Sequence, residues 1–422
     1  MGPYVEARTE ICHSEPAGEE SVRHCTAVNG SFASLRMTGL CGRADPLLYA
    51  KLRSDMIEVI LLVVAFALLV VGAEYFTNAV EWLGHHLKLS DSATGSLLAA
   101  VGTAMPETLV PIVAIISALG QPAADAELSK HVGIGGILGA PFMLSTLAML
   151  VIATALWSYR KRRQTTHLRF NAETAESDLK FFLIAYTLGF IAAFIPSELI
   201  VIRWAIAASL IPLYFIYMRR LLVHSEPVAG SAEELGPLHL LKHLNRLPFE
   251  VTPNDPHLSH ILAQVAFSLG LIIGGAYMFV GQIQTMAVNI GIAPLVLSLL
   301  ITPVATELPE KLNSVLWIRR GKDTLAFGNM SGALVFQSAF PVTIGILFTD
   351  WRLSLDPASP FFLPALSCVL ALLSGASLLY FVHRHDTLHV PHLLASGTLY
   401  VVFVIAVILV SVMGPEVAVA GH

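Results

Sequence analysis

The chain has 422 residues, 55% of them apolar and 13% charged, against roughly 25% charged in an ordinary soluble domain. That balance excludes a soluble chain of two or three domains and points to helices of about 20 residues crossing a hydrocarbon layer. The formal net charge of -5 is small and dispersed, which excludes the basic signature of a nucleic-acid binder.

Residues 1–55 are polar, lack apolar periodicity, and read as a disordered tail. Met56 stands directly before the first apolar run, so a start there would make the tail upstream sequence. Three of the four cysteines, Cys12, Cys25 and Cys41, lie in this tail and the fourth is Cys368. Their spacing predicts neither a metal site nor a disulfide framework. Ten apolar runs follow, at 57–80, 91–119, 131–157, 179–196, 199–218, 258–282, 291–318, 325–349, 360–382 and 390–413. They predict an all-α membrane protein with ten transmembrane helices. The first is kept as a span because no convincing signal-peptide cleavage site follows it.

The longest connection, 219–257, is loose polar sequence with Ser225, Glu226, Pro227, Gly230, Glu233 and Glu234. It reads as a linker between a five-span unit at 56–218 and another at 258–422. Basic residues gather after the odd-numbered spans, at Lys88, Arg160 to Arg163, Arg219, Arg220, Arg319, Arg320, Lys322 and Arg384. Loops after even-numbered spans are poorer in them, so both termini and those loops are expected outside. The expected location is a bacterial-type plasma membrane, with the bilayer as the surrounding partner.

The two units resemble each other. A shift of 203 positions carries Gly72 onto Gly275, Phe76 onto Phe279, Thr103 onto Thr306, Pro106 onto Pro309 and Glu107 onto Glu310, without a gap. At a second offset, Gly135, Gly139 and Ser145 fall on Gly328, Gly332 and Ser338. Because five spans is an odd number, the second copy enters the membrane from the opposite side. Inverted repeats with interrupted helices are a construction of secondary transporters, with the site where the broken helices meet.

Pro106 and Pro309 each remove a backbone donor from an apolar helix. Carbonyls near Ala99 to Thr103 and near Pro303 to Thr306 are expected to be freed, and a bound cation can take them up. Glu107 and Glu310 follow the prolines directly, and Glu307 lies close by. Ionised carboxylates at this depth cost several kcal/mol unless compensated. Lys311 points about 100° away from its neighbour Glu310, and no basic residue stands mid-span elsewhere. The carboxylates are therefore expected to lack a basic partner and to form an all-oxygen site for a hard cation such as calcium, sodium or magnesium.

These residues resemble the calcium:cation antiporter superfamily, whose best-known members are the sodium/calcium exchangers. The resemblance covers roughly 57–413 and rests on Gly102-Thr103-Ala104-Met105-Pro106-Glu107 with Gly135 to Ser145, and on Ala305 to Glu310 with Gly328 to Ala333. It implies ten helices in two inverted five-helix repeats, alternating access and a central cation cluster. By position, Glu107 and Glu310 would be the central acidic ligands, with Thr103, Thr306, Ala100 and Pro303 as carbonyl donors. The chain departs from the family pattern in carrying Ala104 and Glu307 at the motif serines, Ala140 and Ala333 at the Gly-Ser serines, and Leu144 and Gln337 at the closing polar positions. The implied metal ligands are thus Glu107, Glu310, Glu307, Thr103, Thr306 and Gln337.

The implied function is secondary antiport of calcium or another divalent cation against sodium or protons, with no cofactor besides the transported ions. Most side-chain oxygens that hold sodium in the family are replaced, whereas a buried carboxylate such as Glu307 or Glu310 can itself carry a proton. The alternatives are an intramembrane enzyme or a cation channel using the same carboxylates. Against the enzyme stands the lack of His-Glu-x-x-His, Gly-x-Ser-x-Gly and a mid-helix aspartate pair. Glu74 and Glu81 share one helical face and read as solvated, or as lining an access path. Asn78 is open between those roles, His85, His86, His383 and His385 read as loop residues, and Asn313 and Gln284 are candidates to bridge helices.

Overall fold

In the computed structural model, residues 46–86, 105–224, 237–244, 256–290, 293–307, 311, 314, 315, 317–319, 321, 323–385 and 387–413 are described. The chain divides into two units, Met1–Ala50 and Lys51–His422. Of the first, only 46–50 are described, and they are helical. The expectation of a disordered tail over 1–45 lies outside the described residues. Residues 46–55, assigned above to that tail, belong instead to helix α1, Pro46–His86. Proline at the first helical position is pre-organised for a helix start, and extending an existing helix costs far less than nucleating one.

After α1 come α2 (Met105–Ala118), α3 (Ala123–Ser145), α4 (Leu147–Arg163), a short strand β1 (His167–Arg169) and α5 (Ala172–Ala192). Then follow α6 (Ile200–His224), α7 (His239–Leu244), α8 (Leu258–Ile290), α9 (Pro294–Thr306), α10 (Asp323–Phe348), α11 (Phe362–Arg384), strand β2 (Thr387–His389) and α12 (Val390–Met413). Among the described residues, seven helical segments are long and apolar enough to cross a membrane, and Pro106–Ala118 and Pro294–Val304 are shorter apolar helices. The described residues of each expected span are largely helical; 91–104 of the second span and 291, 292, 308–310, 312, 313 and 316 of the seventh lie outside the described residues.

The third span is two helices. At its middle, the Thr146 and Ser145 hydroxyls both donate to Phe142 O, and Ser374 of α11 donates to Ser145 O. Hydroxyls bonding back to the preceding turn bend a helix. The backbone at Thr146 is accordingly distorted, with φ -114° and ψ -75°, while its N–H and carbonyl keep their ladder bonds to Phe142 O and Leu150 N at 3.1 Å.

The repeat is visible in how α1 meets α8. A methyl group on Gly72 would lie 2.7 Å from the Ile272 side chain, and one on Gly275 would lie 3.2 Å from Leu69. Leu69 and Ile272 are separated by the same offset as the two glycines. Position i of one half therefore touches position j of the other and the reverse, the reciprocity of a two-fold interface. The core is formed by α3 and α10, buried over most of their length, together with one face of the first part of α4, whereas α6 and α12 present apolar side chains such as Val201, Phe215, Val402 and Ile405 outward. An outward apolar surface of this kind is what a lipid-facing helix presents.

Polar contacts tie the ends. Arg203 of α6 donates to the Ala192, Asp350 and Trp351 carbonyls at 2.8–3.2 Å. At the opposite end, buried Asp178 of α5 accepts from Tyr217 of α6 at 3.0 Å and from Ser331 of α10 at 2.6 Å. β1 pairs antiparallel with β2, His167 opposite His389, joining a loop of each half. The linker expected to be loose contains α7, which Asn78 and Gln264 hold by accepting from His239 N at 3.0 Å and Leu240 N at 2.7 Å. Leu238 and Leu241 pack there against Trp82 and Ile261, so burial of two leucines gives a six-residue helix the tertiary support it lacks alone. Residues 225–236 and 245–255 lie outside the described residues. Asn78 thus has a structural role, and Glu74 is exposed at 3.8 Å from the His239 ring. Gln284 bridges α8 to α3 by donating to Ser129 Oγ at 2.6 Å. Asn313 and the side chain of Glu81 lie outside the described residues.

Candidate cation site

Helix α3 is the spine of the site because glycine lets two other helices reach its backbone. A methyl on Gly133 would meet Pro111 O at 3.2 Å and one on Gly136 the Pro111 ring at 3.2 Å, so this face lies on α2. On Gly135 a methyl would be 2.5 Å from Leu295 O, and on Gly139 it would be 2.7 Å from the Pro303 ring, so the other face lies on α9. Small residues are what allow such approaches between membrane helices. Ser298 of α9 adds a hydrogen bond of 2.6 Å to Val132 O.

Residue numbers on α9 rise along α3 while those on α2 fall, so α9 runs parallel to α3 and α2 antiparallel to it. Helix α2, which carries Pro106-Glu107, and helix α9, which leads up to Glu307, therefore point in opposite directions. Continued by one turn, the same registers set Glu107 level with Ala140 and Glu307 level with Met143. At 1.5 Å per residue these levels are about 5 Å apart along α3.

Glu107 is 2% exposed and occupies the first turn of α2, which begins at Met105. A carboxylate is favoured there by the positive end of the helix dipole. Glu307 is fully buried and ends α9, its N–H donating to Pro303 O at 3.0 Å. The expectation that Pro303 offers a freed carbonyl is thereby corrected, because that oxygen already accepts the ladder bond. Pro309 has no N–H, so the oxygen left without its helical donor is that of Ala305, four residues earlier. Thr306, 2% exposed, donates its hydroxyl to Thr302 O at 3.0 Å.

The expected lack of a basic partner does not hold for Glu307. Lys311 reaches back four residues and pairs with Glu307 Oε2, both side chains being buried. Lys311 points away from its neighbour Glu310, but a spacing of four puts it on the same helical face as Glu307. Glu307 Oε1 keeps no hydrogen-bond partner among the described residues. On α10, which packs against both α2 and α3, Gln337 is fully buried and neither atom of its amide has a partner there. Asn329, on the same helix, is half-buried with its amide in the same condition. Buried polar groups are rarely left so. Ala100, Thr103, Ala104 and Glu310 lie outside the described residues. Among the described residues, no three His, Cys, Asp or Glu side chains form a metal-binding group.

The family model for the sodium/calcium exchanger protein matches residues 57–223 and 260–409, most of the chain and both halves. The chain belongs to that family. It is an integral, multi-pass membrane protein of the calcium:cation antiporter superfamily. Membrane protein MJ0091 of Methanocaldococcus jannaschii is 24% identical over 67% of this chain and 78% of its own length. CaxA of Alkalimonas amylolytica, assigned as an antiporter, is 22% identical over 69% of this chain and 81% of its own. The fold is shared with a crystal structure of the H+/Ca2+ exchanger CAX, with TM-score 0.60, 14% identity, and coverage of 88% of this chain and 93% of that one. The sodium-calcium exchanger NCX_Mj, soaked with Na+ and Sr2+, is similar at TM-score 0.51 and 16% identity, over 83% of this chain and 98% of that one.

Proposed function

We propose that this exchanger carries calcium, or another divalent cation, against sodium or protons by alternating access, at a site shared by its two halves. The observation that carries the reading is the pair of fully buried, incompletely partnered groups, Glu307 Oε1 and the Gln337 amide, at α9 and α10, two elements that both pack on α3. Oxygens held without donors in a dry interior are ready to accept a cation. In this reading Glu107 and Glu310 are the central ligands, one from each half. Thr103 and Thr306 contribute carbonyl oxygens, Gln337 its amide oxygen, and Glu307 an oxygen shared with Lys311.

Formal charge supports a divalent ion. Glu107, Glu307 and Glu310 bring three negative charges and Lys311 one positive, leaving two, the charge of one calcium. The ammonium of Lys311 balances Glu307 where the family pattern has a serine. A tethered cation there leaves fewer oxygens for a separate sodium ion and favours the proton as the exchanged ion. The ten-helix count, the units at 56–218 and 258–422 joined by 219–257, both termini outside and a bacterial-type plasma membrane belong to the same proposal. The groups tied together on one side, Arg163, β1 and β2, all follow odd-numbered spans.

The test is calcium uptake into proteoliposomes with sodium and pH gradients imposed separately. Uptake driven by an opposing pH gradient at equal sodium supports proton exchange, and uptake driven only by sodium supports the alternative. Uptake that follows the calcium gradient alone, without any counter-ion, would replace antiport with a channel.

A further inference from the structure

At the end of the molecule that carries β1 and β2, a cavity of about 400 Å³ lies between the two halves, lined by Arg162, Arg163, Thr165, Arg169, Arg319 and Asp323. Among the described residues that line it, the one acid is already engaged. Asp323 accepts from both terminal nitrogens of Arg163 at 2.6 Å and from Arg169 N at 3.1 Å. Arg163 also donates to Ile318 O and to His167 O. This buried fork, with both side chains 6% exposed, staples the end of α4 to the start of α10 and leaves no net charge of its own.

The other three arginines are different. Arg162, Arg169 and Arg319 are exposed and have no carboxylate within ion-pair distance among the described residues. The basic residues that flank them along the chain, Lys161 and Arg320, add no compensating charge. Three guanidinium groups around one polar cavity repel one another unless an anion sits between them. Guanidinium forks match the paired oxygens of a phosphate group better than a point-charge ammonium does.

We infer that this cavity is a phosphate-binding site, in which Arg162 and Arg169 from the first half and Arg319 from the second converge on one phosphate group. Thr165 supplies a hydroxyl donor on the cavity wall. The cavity lies beside the end of a spanning segment, Ala123–Arg163, where the phosphate of an anionic lipid and a phosphate in solution are both within reach. The site is separate from the carboxylate cluster and does not depend on which ion is transported.

The experiment uses the full-length protein in detergent and, in parallel, in nanodiscs. Inorganic phosphate and pyrophosphate are titrated calorimetrically for the soluble source. Phosphatidylglycerol retained from mixed phosphatidylglycerol/phosphatidylcholine nanodiscs is counted by native mass spectrometry for the lipid source. The triple variant Arg162→Gln, Arg169→Gln, Arg319→Gln should bind the favoured probe about a hundred-fold more weakly, at roughly 1 kcal/mol per basic residue. A charge-matched control, Lys161→Gln, Arg219→Gln, Arg384→Gln, removes three exposed basic residues outside the cavity and should bind within about threefold of the parent. If the triple variant does not fold, Arg319→Gln alone should weaken binding about five-fold. Equal binding by the variant and the parent, equal loss in the control, or no binding of either probe would overturn the inference.

Discussion

Replacing Lys311 by Met probes the charge balance at the heart of the site. The methionine keeps an unbranched apolar stem and removes only the ammonium that pairs with Glu307, whose side chain is 0% exposed, against 8% for that of Lys311. Removing one partner of a buried pair costs about 3–5 kcal/mol, because the remaining charge stays desolvated. In folding equilibrium that is roughly a hundred- to several-thousand-fold. The expected result in calcium-free mixed micelles is a marked fall in resistance to SDS unfolding, followed by the fluorescence of the five tryptophans. Saturating calcium should restore more stability to Lys311→Met than to the parent, because the metal takes over the neutralising role. For scale, a ligand at a hundred times its Kd stabilises by about 2.7 kcal/mol. The double variant Glu307→Gln, Lys311→Met should recover most of the loss, since neither charge is left behind. If the single variant is as stable as the parent without calcium, or the double variant is no better than the single, the charged pair is refuted.

Gln337→Leu should separate stability from binding. Replacing an unpartnered buried amide by an apolar group should leave the calcium-free protein as stable or more stable by about 1–3 kcal/mol, while calcium affinity measured by calorimetry falls at least about tenfold. A loss of stability with unchanged affinity would make Gln337 structural. Gly139→Val should force α3 from α9, where even a methyl would lie 2.7 Å from the Pro303 ring, and lower unfolding stability by about 1–3 kcal/mol or more. Asp323→Asn should cost a few kcal/mol by stranding Arg163, and Arg163→Met combined with Asp323→Leu should recover most of it in the same unfolding assay.

The parts of the fold legible in the sequence are those set by short-range chemistry. Pro106-Glu107 and Pro309-Glu310 are legible because proline and a carboxylate are both anomalous in an apolar helix, and Gly72 and Gly275 because a close approach admits no side chain. The Lys311–Glu307 pair is legible from its spacing of four, which places both side chains on one helical face. Other features depend on partners far along the chain. Asp178 is made tolerable by Tyr217 and Ser331, and no local pattern announces that. Ser374 of α11 donates to the Ser145 carbonyl beside the break at Thr146. Likewise α7 is a six-residue helix held by Asn78, Gln264 and Trp82, and its own sequence lies within a polar connection.

In the proposed site, buried carboxylates from opposite halves hold the transported divalent ion together. The most direct measurement is calcium flux into proteoliposomes for Glu107→Gln and Glu310→Gln, each checked by size exclusion for a folded, monodisperse protein. Either substitution should abolish flux while the protein remains folded. Normal flux in either folded variant would contradict it.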